Sequence, residues 1–312
     1  MKRQPPTSSH PFRGMLLFVS ALFLFACLDT TTKYLATRYN VPLVVAIRYI
    51  VHCLLMIVIL VPHQGRKLFQ THRKGLVLVR AASLAITSLF IGLALRRMPV
   101  AETSAITFLA PMLVVLLARP ILGERIGVLG WLAAVTGFLG VLLIARPGSG
   151  LDAIGIACAL CAVAGLVIYQ LLSRVLTSTE RTITLLFYSA LIGSIGYGIF
   201  LPWFWGGEAP TFIVLLLFLS MGITGGLGHF LYTAAYRHAT ASLLAPISYL
   251  QLVWAGLLGW LVFDHVPDHL SILGMAIVAA SGVMIAIKSR QRQFESERLS
   301  NIPVIASPSD PA

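Results

Sequence analysis

The sequence predicts an all-α membrane protein with ten transmembrane helices in two inverted repeats of five helices. Hydrophobic residues make up 58% of the 312 positions and charged residues only 11%, whereas charged residues make up about a quarter of a soluble domain. Apolar runs of about 20 residues, long enough to cross a bilayer, follow one another along most of the chain. Two stretches, 94–146 and 235–288, also repeat one order of features.

The apolar runs are separated by charged residues or by Gly and Pro breaks. We predict helices over 14–35, 42–62, 75–95, 99–118, 127–145, 152–173, 182–202, 211–236, 240–262 and 270–288. Because most connections are short, neighbouring helices are expected to be antiparallel. The polar tails, 1–12 and 289–312, contain Pro and Ser and are predicted to be disordered.

Each repeated stretch contains a basic residue, a short break, a long apolar helix, a polar pair and a second apolar helix. The polar pair is Gly123-Glu124 in the first stretch and Asp264-His265 in the second. A repeat unit of five helices, an odd number, makes the second copy enter the membrane from the opposite side. Repeats over 13–146 and 147–288 are therefore predicted to be inverted, which is typical of carriers that work by alternating access.

The distribution of Lys and Arg predicts the orientation in the membrane. With the N-terminus in the cytoplasm, sixteen of the 23 Lys and Arg residues lie on the cytoplasmic side, five lie outside and two lie within helices. Because positive loops stay in the cytoplasm, both termini are predicted to be cytoplasmic, with the chain in the plasma (inner) membrane. The net charge of +12 is spread over short clusters between apolar runs, which predicts a lipid bilayer and no nucleic acid as its partner.

Short motifs in both halves resemble those of one known family. They are 46–49, Arg80, Pro99, Ala101-Glu102, 108–112 and 122–125 in the first half, and 242–263, Pro267-Asp268, Gly274 and Gly282 in the second. Over about 12–288 the chain resembles the drug/metabolite transporter superfamily and, within it, the ten-helix carriers built from two EamA domains. The resemblance implies a secondary transporter of a small organic metabolite, such as an amino acid, a carboxylate, or a cofactor-like or drug-like solute, with efflux or exchange favoured.

One pair departs from the family pattern. Relatives usually carry Gly-Glu in the second half, where this chain has Asp264-His265. Because the pair lies at a helix end, we expect the change to affect capping or gating there, and not the fold.

Ionisable residues within spans are the first candidates for function, because they are costly in a bilayer. Asp29 and Arg48 lie at the same expected depth, about 9 Å below the outer surface, and predict an ion pair that Lys33 shares. This pair is either an outer gate or ligand for a charged cargo, or a structural tie between the first two helices. Arg80 is expected to snorkel to the cytoplasmic surface or to bind an anionic cargo.

Glu102 follows Pro99 in the first turn of the fourth helix. A carboxylate there either complements the helix dipole or binds a proton as access alternates. Thr103, Thr107 and Pro111 recur at four-residue spacing along that helix.

The fourth and ninth helices are repeat-related, and the resemblance implies that they line a central cavity. In the ninth helix, Ser242, Pro246 and Tyr249 form a stripe comparable to that of the fourth. A proline-containing stripe is also explained by a packing kink.

Further candidates are able to supply hydrogen bonds and an aromatic wall for an organic cargo. They are Tyr169, His229, Tyr232, Gln251 and Trp254. An internal histidine such as His229 is also explained by a hydrogen bond within the bundle.

Two other classes of function compete with a transporter. An intramembrane enzyme needs a metal or nucleophile constellation at membrane depth, and no such motif is found in the sequence. A non-transporting membrane scaffold is the other alternative. The sequence predicts no cofactor, no metal site and no catalytic residue. The predicted partners are a small-molecule substrate, with protons as a candidate second ligand, and the protein is predicted to be a monomer or a homodimer.

Overall fold

The computed structural model describes residues 11–110, 112–114, 117, 128–146, 150–176, 179–205, 209–238, 247–281 and 283–284. Within these ranges the regular secondary structure is helical and contains no strand. The main helices in these ranges are α1 Pro11–Ala36, α2 Val41–Gln64, α3 Lys74–Arg97, α4 Val100–Thr107, α5 Val128–Ile144, α6 Ala153–Leu176, α7 Thr182–Gly198, α8 Phe212–His238, α9 Leu250–Phe263 and α10 His269–Ser281. The prediction of an all-helical, ten-helix membrane protein is confirmed.

Length and composition divide the ten helices into two groups. Helices α1, α2, α3, α6 and α8 are long and apolar enough to cross a membrane, and the other five are shorter apolar helices. Many large apolar side chains are exposed on the outer surface, such as Val58, Leu132 and Ile213. A surface of this kind is unfavourable in water and is suited to lipid.

The seventh and fourth helices are interrupted within their predicted ranges. The helix predicted over 182–202 ends at Gly198, and a separate turn of helix follows at Leu201–Phe204. This break is expected because Gly198 is a poor helix former and Pro202 donates no backbone hydrogen bond. Helix α4 is followed by a turn at Phe108, after which residues 109–110 and 112–114 are again helical, so the apolar helix spans Val100–Val114. The prolines predicted to kink the fourth and ninth helices, Pro111 and Pro246, lie outside the described residues.

The two ends of the bundle are defined by contacts between connections. At one end, which we call the Lys33 end, the Lys33 ammonium donates to the carbonyls of Leu95 and Met98 at 3.0 and 2.7 Å. At the other, which we call the Glu180 end, the Glu180 carboxylate accepts hydrogen bonds from the backbone N–H groups of His72 and Arg73, at 2.8 and 2.9 Å. The first contact joins α1 to the end of α3, and the second joins the α6–α7 connection to the α2–α3 connection.

The closest helix packing joins the first half of the chain to the second. Helix α3 packs most extensively on α6, and α1 packs most extensively on α8. Small residues allow this approach: a Cβ atom on Gly222 of α8 would lie 3.0 Å from the backbone nitrogen of His52 on α2. Such contacts between small residues and a facing backbone stabilise helix association in membranes.

An apolar layer fills the bundle near the Lys33 end. Its buried members are Leu95, Val100, Ala101 and Ala255, with Ile91, Phe263 and Met275 packed around them. These residues come from α3, α4, α9 and α10, so both halves of the chain contribute to the layer.

Candidate functional site

A cavity of about 790 Å³ lies in the middle of the bundle. Its walls come from α1, α2, α3, α4, α6, α7 and α8, and from residues at the start of α9. The volume is within the range of about 300–1,000 Å³ that is usual for small-molecule sites. Both halves of the chain therefore build one central site.

Among the described residues, the lining of the cavity extends further towards the Glu180 end than towards the Lys33 end. Its lining reaches Ser173 near the end of α6 and Thr182 at the start of α7, both at the Glu180 end. Towards the Lys33 end the lining stops at Asp29 on α1 and Ile91 on α3. Beyond Ile91 the apolar layer closes the bundle.

Arg48 lines the cavity and is only half-buried. Its Nη2 donates to the Ser88 hydroxyl at 2.5 Å, and the same oxygen lies 2.8 Å from the Tyr49 hydroxyl. A guanidinium carries five N–H donors, and within the described ranges Ser88 is the one hydrogen-bond acceptor of Arg48, which favours Arg48 as a donor to a ligand in the cavity.

Asp29 lines the same cavity from α1. The Gln251 side chain donates a hydrogen bond to its carboxylate. Asp29 and Arg48 line one cavity and interact electrostatically, although no salt bridge within 4 Å joins them among the described residues. Their role as a gate, a ligand or a structural tie stays a prediction. Arg48 is drawn to the Ser88 hydroxyl of α3. The Lys33 ammonium donates to carbonyls at the C-terminal end of α3, and its sharing of the Asp29–Arg48 pair stays a prediction.

Arg80 is 4% exposed and differs from Arg48 in its contacts. Its donors are bound by protein groups, which are the hydroxyls of Ser173, Ser189 and Tyr169 and the carbonyl of Leu185, at 2.6–3.1 Å. The guanidinium carbon also lies 4.4 Å from the centroid of the Tyr169 ring. Arg80 therefore does not snorkel to the surface, and it ties α3 to α6 and α7.

Five other predicted residues line the cavity: Thr107, Tyr169, His229, Tyr232 and Gln251. The His229 ring packs edge-on against Phe25, at 4.9 Å between centroids, and Phe25 is itself a wall residue. The Thr107 hydroxyl donates to the carbonyl of Ser104 at 2.7 Å. Aromatic and hydroxyl groups thus share the wall with the charged side chains of Asp29, Arg48 and Arg80.

Three predicted residues are not wall residues. Thr103 is buried, and its hydroxyl donates to the carbonyl of Pro99 at 2.7 Å. Tyr249 stacks on Phe108, which does line the cavity, with 4.9 Å between ring centroids. Trp254 packs edge-on against Phe23, and its indole nitrogen is buried without a hydrogen-bond partner among the described residues.

Glu102 lies outside the central cavity, in a second pocket of about 480 Å³ at the Lys33 end. As predicted, it is in the first turn of α4. Its Oε1 lies 3.0 Å from Nε2 of His265, and its Oε2 is buried without a hydrogen-bond partner among the described residues. Glu102 itself is 2% exposed, whereas the His265 side chain is 38% exposed.

Asp268 stabilises the connection that carries His265. It accepts a hydrogen bond at 2.7 Å from the backbone N–H of Ser271, in the first turn of α10, and it pairs with Arg146 at the end of α5. The hydrogen bonds from Ser271, together with that from Arg146, lower the pKa of Asp268 to about 2. Asp268 is therefore a charged cap of α10 at neutral pH.

Sequence reasoning missed several wall residues. His52 and Ser88 line the cavity, and His52 was detectable because it lies one turn after Arg48 on the same face of α2. His265 was noticed only as a departure from a family pattern, because its partner is 163 positions away in the chain. In the described part of the chain, no three His, Cys, Asp or Glu side chains converge as metal ligands.

Comparison with known proteins connects this geometry to a family. A model of the EamA-like transporter family matches residues 12–146 and 153–287. A riboflavin transporter of Rhizobium johnstonii is 29% identical over 286 residues, which cover 90% of this chain and 93% of that protein. An S-adenosylmethionine uptake transporter of Rickettsia bellii is 24% identical, with 89% and 94% covered.

Two further comparisons agree with these. A pseudopaline exporter of Pseudomonas aeruginosa is 27% identical over 282 residues, with 88% of this chain and 95% of that protein covered. One solved crystal structure superposes with a TM-score of 0.64 at 19% identity, and covers 90% of this chain and 98% of that one. At that identity the superposition shows a shared fold.

Proposed function

Because the chain belongs to the EamA-like transporter family, we propose that this multi-pass membrane protein carries a small organic solute across the plasma (inner) membrane by alternating access. The family and the transporter relatives favour a transporter of small solutes over an enzyme or a scaffold. The repeats proposed for this mechanism are 13–146 and 147–288, and the proposed oligomeric state remains a monomer or a homodimer.

The observation that carries the proposal is the one-sided central cavity. Among the described residues, its lining reaches Ser173 and Thr182 near the Glu180 end, and an apolar layer lies between it and the Lys33 end. The distribution of Lys and Arg places the Glu180 end in the cytoplasm. On this assignment the structure represents the inward-facing state, and exchange of packing between the two halves would open the Lys33 end instead.

The proposed binding groups are the two wall charges and their polar and aromatic neighbours. Arg48 offers donors to a carboxylate or another anionic group, and Asp29 offers an acceptor to an amine or hydroxyl. Tyr169, Tyr232 and His229 supply ring faces and edges for an apolar or flat part of the solute. The wall thus favours a metabolite that combines polar or charged groups with an apolar body.

The direction of transport depends on the gradients that act on the carrier. Relatives include an uptake transporter and an exporter, and alternating access is reversible. Efflux or exchange stays a prediction for this chain, as does the participation of protons.

A counterflow assay with the purified full-length protein in proteoliposomes tests the proposal. Vesicles preloaded with unlabelled riboflavin or S-adenosylmethionine, and with a panel of amino acids and carboxylates, are given the labelled solute outside. We expect exchange of at least one solute, and its loss in the Arg48→Gln and Asp29→Asn variants. The control is Arg38→Gln, a substitution at an exposed position that is not part of the wall. Absence of exchange for the whole panel, with and without a pH gradient, contradicts the proposed function.

A further inference from the structure

The contact between Glu102 and His265 lies at the closed end of the bundle, separate from the central cavity. We propose that this pair is a proton-binding site that holds the Lys33 end closed, so that protonation favours the inward-facing state. The inference rests on the alternating access proposed above and adds a ligand, the proton, with its own site.

The contact bridges the two halves of the protein. Glu102 belongs to α4, whereas His265 belongs to the connection between α9 and α10. Beneath the pair, the apolar layer contains Val100 and Ala101 from α4 and Ala255 from α9. Opening the Lys33 end requires α4 and α9 to separate, and this movement breaks the contact between Glu102 and His265.

The end of α9 delivers His265 to this position. Asp264 adopts a left-handed conformation with φ of 53°, and its N–H donates to the carbonyl of Trp260 at 2.9 Å. The backbone N–H of His265 donates a hydrogen bond to the carbonyl of Gly259 at 3.3 Å. Asp tolerates the left-handed region better than most residues, so this C-cap forms without glycine and turns the imidazole towards α4.

The burial of Glu102 makes the contact sensitive to charge. One carboxylate oxygen has His265 as its partner, and the other has no hydrogen-bond partner among the described residues. A neutral imidazole donates a hydrogen bond to this carboxylate, whereas a protonated one adds the attraction between two opposite charges. Because such attraction is stronger away from bulk water, the contact is tighter when the pair holds the additional proton.

The other charged groups around the pocket are bound elsewhere. Lys33 donates to the α3 carbonyls, Arg97 pairs with Asp152 at 3.4 Å, and Asp268 pairs with Arg146. Asp264, in the same connection as His265, is exposed, and so is His269, the first residue of α10. Lys33 and Arg97 place positive charge near the pair, and Lys33 interacts electrostatically with Glu102 itself. Asp264 and Asp268 place negative charge near it.

The exposure of His265 shows how a proton reaches the pair and how pH is expected to change opening of the Lys33 end. The imidazole is 38% exposed and lines the pocket of about 480 Å³, so water reaches it while Glu102 stays buried. Acidic pH therefore favours the closed Lys33 end, and a rise in pH favours its opening.

The test measures external access to the cavity in intact cells. Ile91, on the cavity side of the apolar layer, is replaced with Cys in a full-length background without Cys27, Cys53, Cys158 and Cys161. A membrane-impermeant maleimide outside the cells then reports opening of the Lys33 end. Because a maleimide reacts with the thiolate, whose fraction rises with pH, the labelling rate at each pH is divided by that of Asn40→Cys, at an exposed position, in the same background. We expect this ratio to rise from about pH 5.5 to about pH 8.5, by at most about tenfold per pH unit, because one proton is linked to the opening.

Three variants assign the response to the pair. His265→Gln keeps a hydrogen-bond donor but does not titrate, and Glu102→Gln removes the carboxylate. Both are expected to flatten the pH profile, and His269→Gln, the neighbouring histidine, is expected to keep it. Should His265→Gln fail to fold, Glu102→Gln tests the same pair from the other helix.

An unchanged profile in a folded His265→Gln or Glu102→Gln variant, or no pH dependence in the parent, overturns the inference. Labelling needs no solute, so failure of this site is distinguishable from failure of the carrier. Exchange without pH-dependent access contradicts only the proton site, whereas pH-dependent access without exchange contradicts only the carrier.

Discussion

At the scale of single residues, two arginines in the wall of one cavity differ in their partners. Arg80 is 4% exposed and binds four protein acceptors from α6 and α7. Arg48 is half-buried and binds the hydroxyl of Ser88. A buried polar group that loses its partner costs more free energy than the hydrogen bond contributes. Arg80, whose partners are buried protein groups, is therefore assigned to the framework, and Arg48 is assigned to the binding site.

Replacement of Arg80 is expected to destabilise the fold. Arg80→Gln leaves several buried acceptors of α6 and α7 without a donor, and the free energy of unfolding should fall by about 2–4 kcal/mol. Thermal unfolding of the detergent-solubilised protein measures this loss. A melting temperature equal to that of the parent contradicts the structural role.

Replacement of Arg48 is expected to show the opposite pattern. Arg48→Gln removes one hydrogen bond from a half-buried group, so stability should change by about 1 kcal/mol or less. Binding of an anionic solute should weaken by about tenfold or more, because a charge-assisted contact is lost. The measurement is ligand-induced thermal stabilisation, compared with that of the parent. Equal stabilisation in both proteins argues against Arg48 as a binding residue.

At the scale of helices, glycines and caps set how closely elements approach. A Cβ atom on Gly274 of α10 would lie 2.7 Å from the carbonyl oxygen of Gly140 on α5, and one on Gly140 would lie 2.9 Å from that of Gly274. Neither backbone can move aside as a side chain can. These two helices therefore cross at a contact that excludes any larger residue.

Enlargement of Gly274 is expected to separate α5 from α10. Gly274→Leu should lower the free energy of unfolding by about 1–3 kcal/mol, the usual cost of overpacking. Gly196→Leu on α7 is the matched control, because a Cβ atom there meets nothing within 4 Å. Thermal unfolding of both variants gives the comparison, and equal melting temperatures are the contrary result.

The cap of α10 gives a pH-dependent prediction. The pKa of Asp268 is lowered to about 2 by the hydrogen bonds from Ser271 and Arg146. Its contribution to stability is present above the ordinary Asp value of about 3.9 and is lost as the pH falls through about 2. Asp268→Asn should therefore lower the melting temperature near neutral pH, by an amount that shrinks on acidification. A difference from the parent that stays constant from about pH 6 to about pH 3 argues against this cap.

At the scale of the whole molecule, the sequence predicted the number of helices and their alternation more reliably than the contacts between them. Apolar runs and breaks are local, so ten helices and the place of Glu102 in the first turn of α4 follow from them. The partners of Arg80 lie 89–109 positions away, and that of Glu102 lies 163 positions away. Such contacts depend on which faces meet, and helical periodicity alone does not determine this when every face is apolar.

The orientation of the bundle is open to a direct test. With the Glu180 end in the cytoplasm, Thr179→Cys should react with an impermeant maleimide only after the membrane is opened. Asn40→Cys, in the exposed α1–α2 connection at the other end, should react in intact cells. Reaction of both cysteines from the same side rules out this arrangement.

The pairing of α3 with α6 and of α1 with α8 has a consequence for biosynthesis. A nascent chain that has inserted only its first five helices has not yet met the neighbours that later cover Ser83, Thr87 and Arg80. Expressed alone, residues 1–150 should be removed by cellular quality control. Co-expression with 151–312 as a separate polypeptide should restore the level of the first fragment, because the helices of each fragment pack on those of the other.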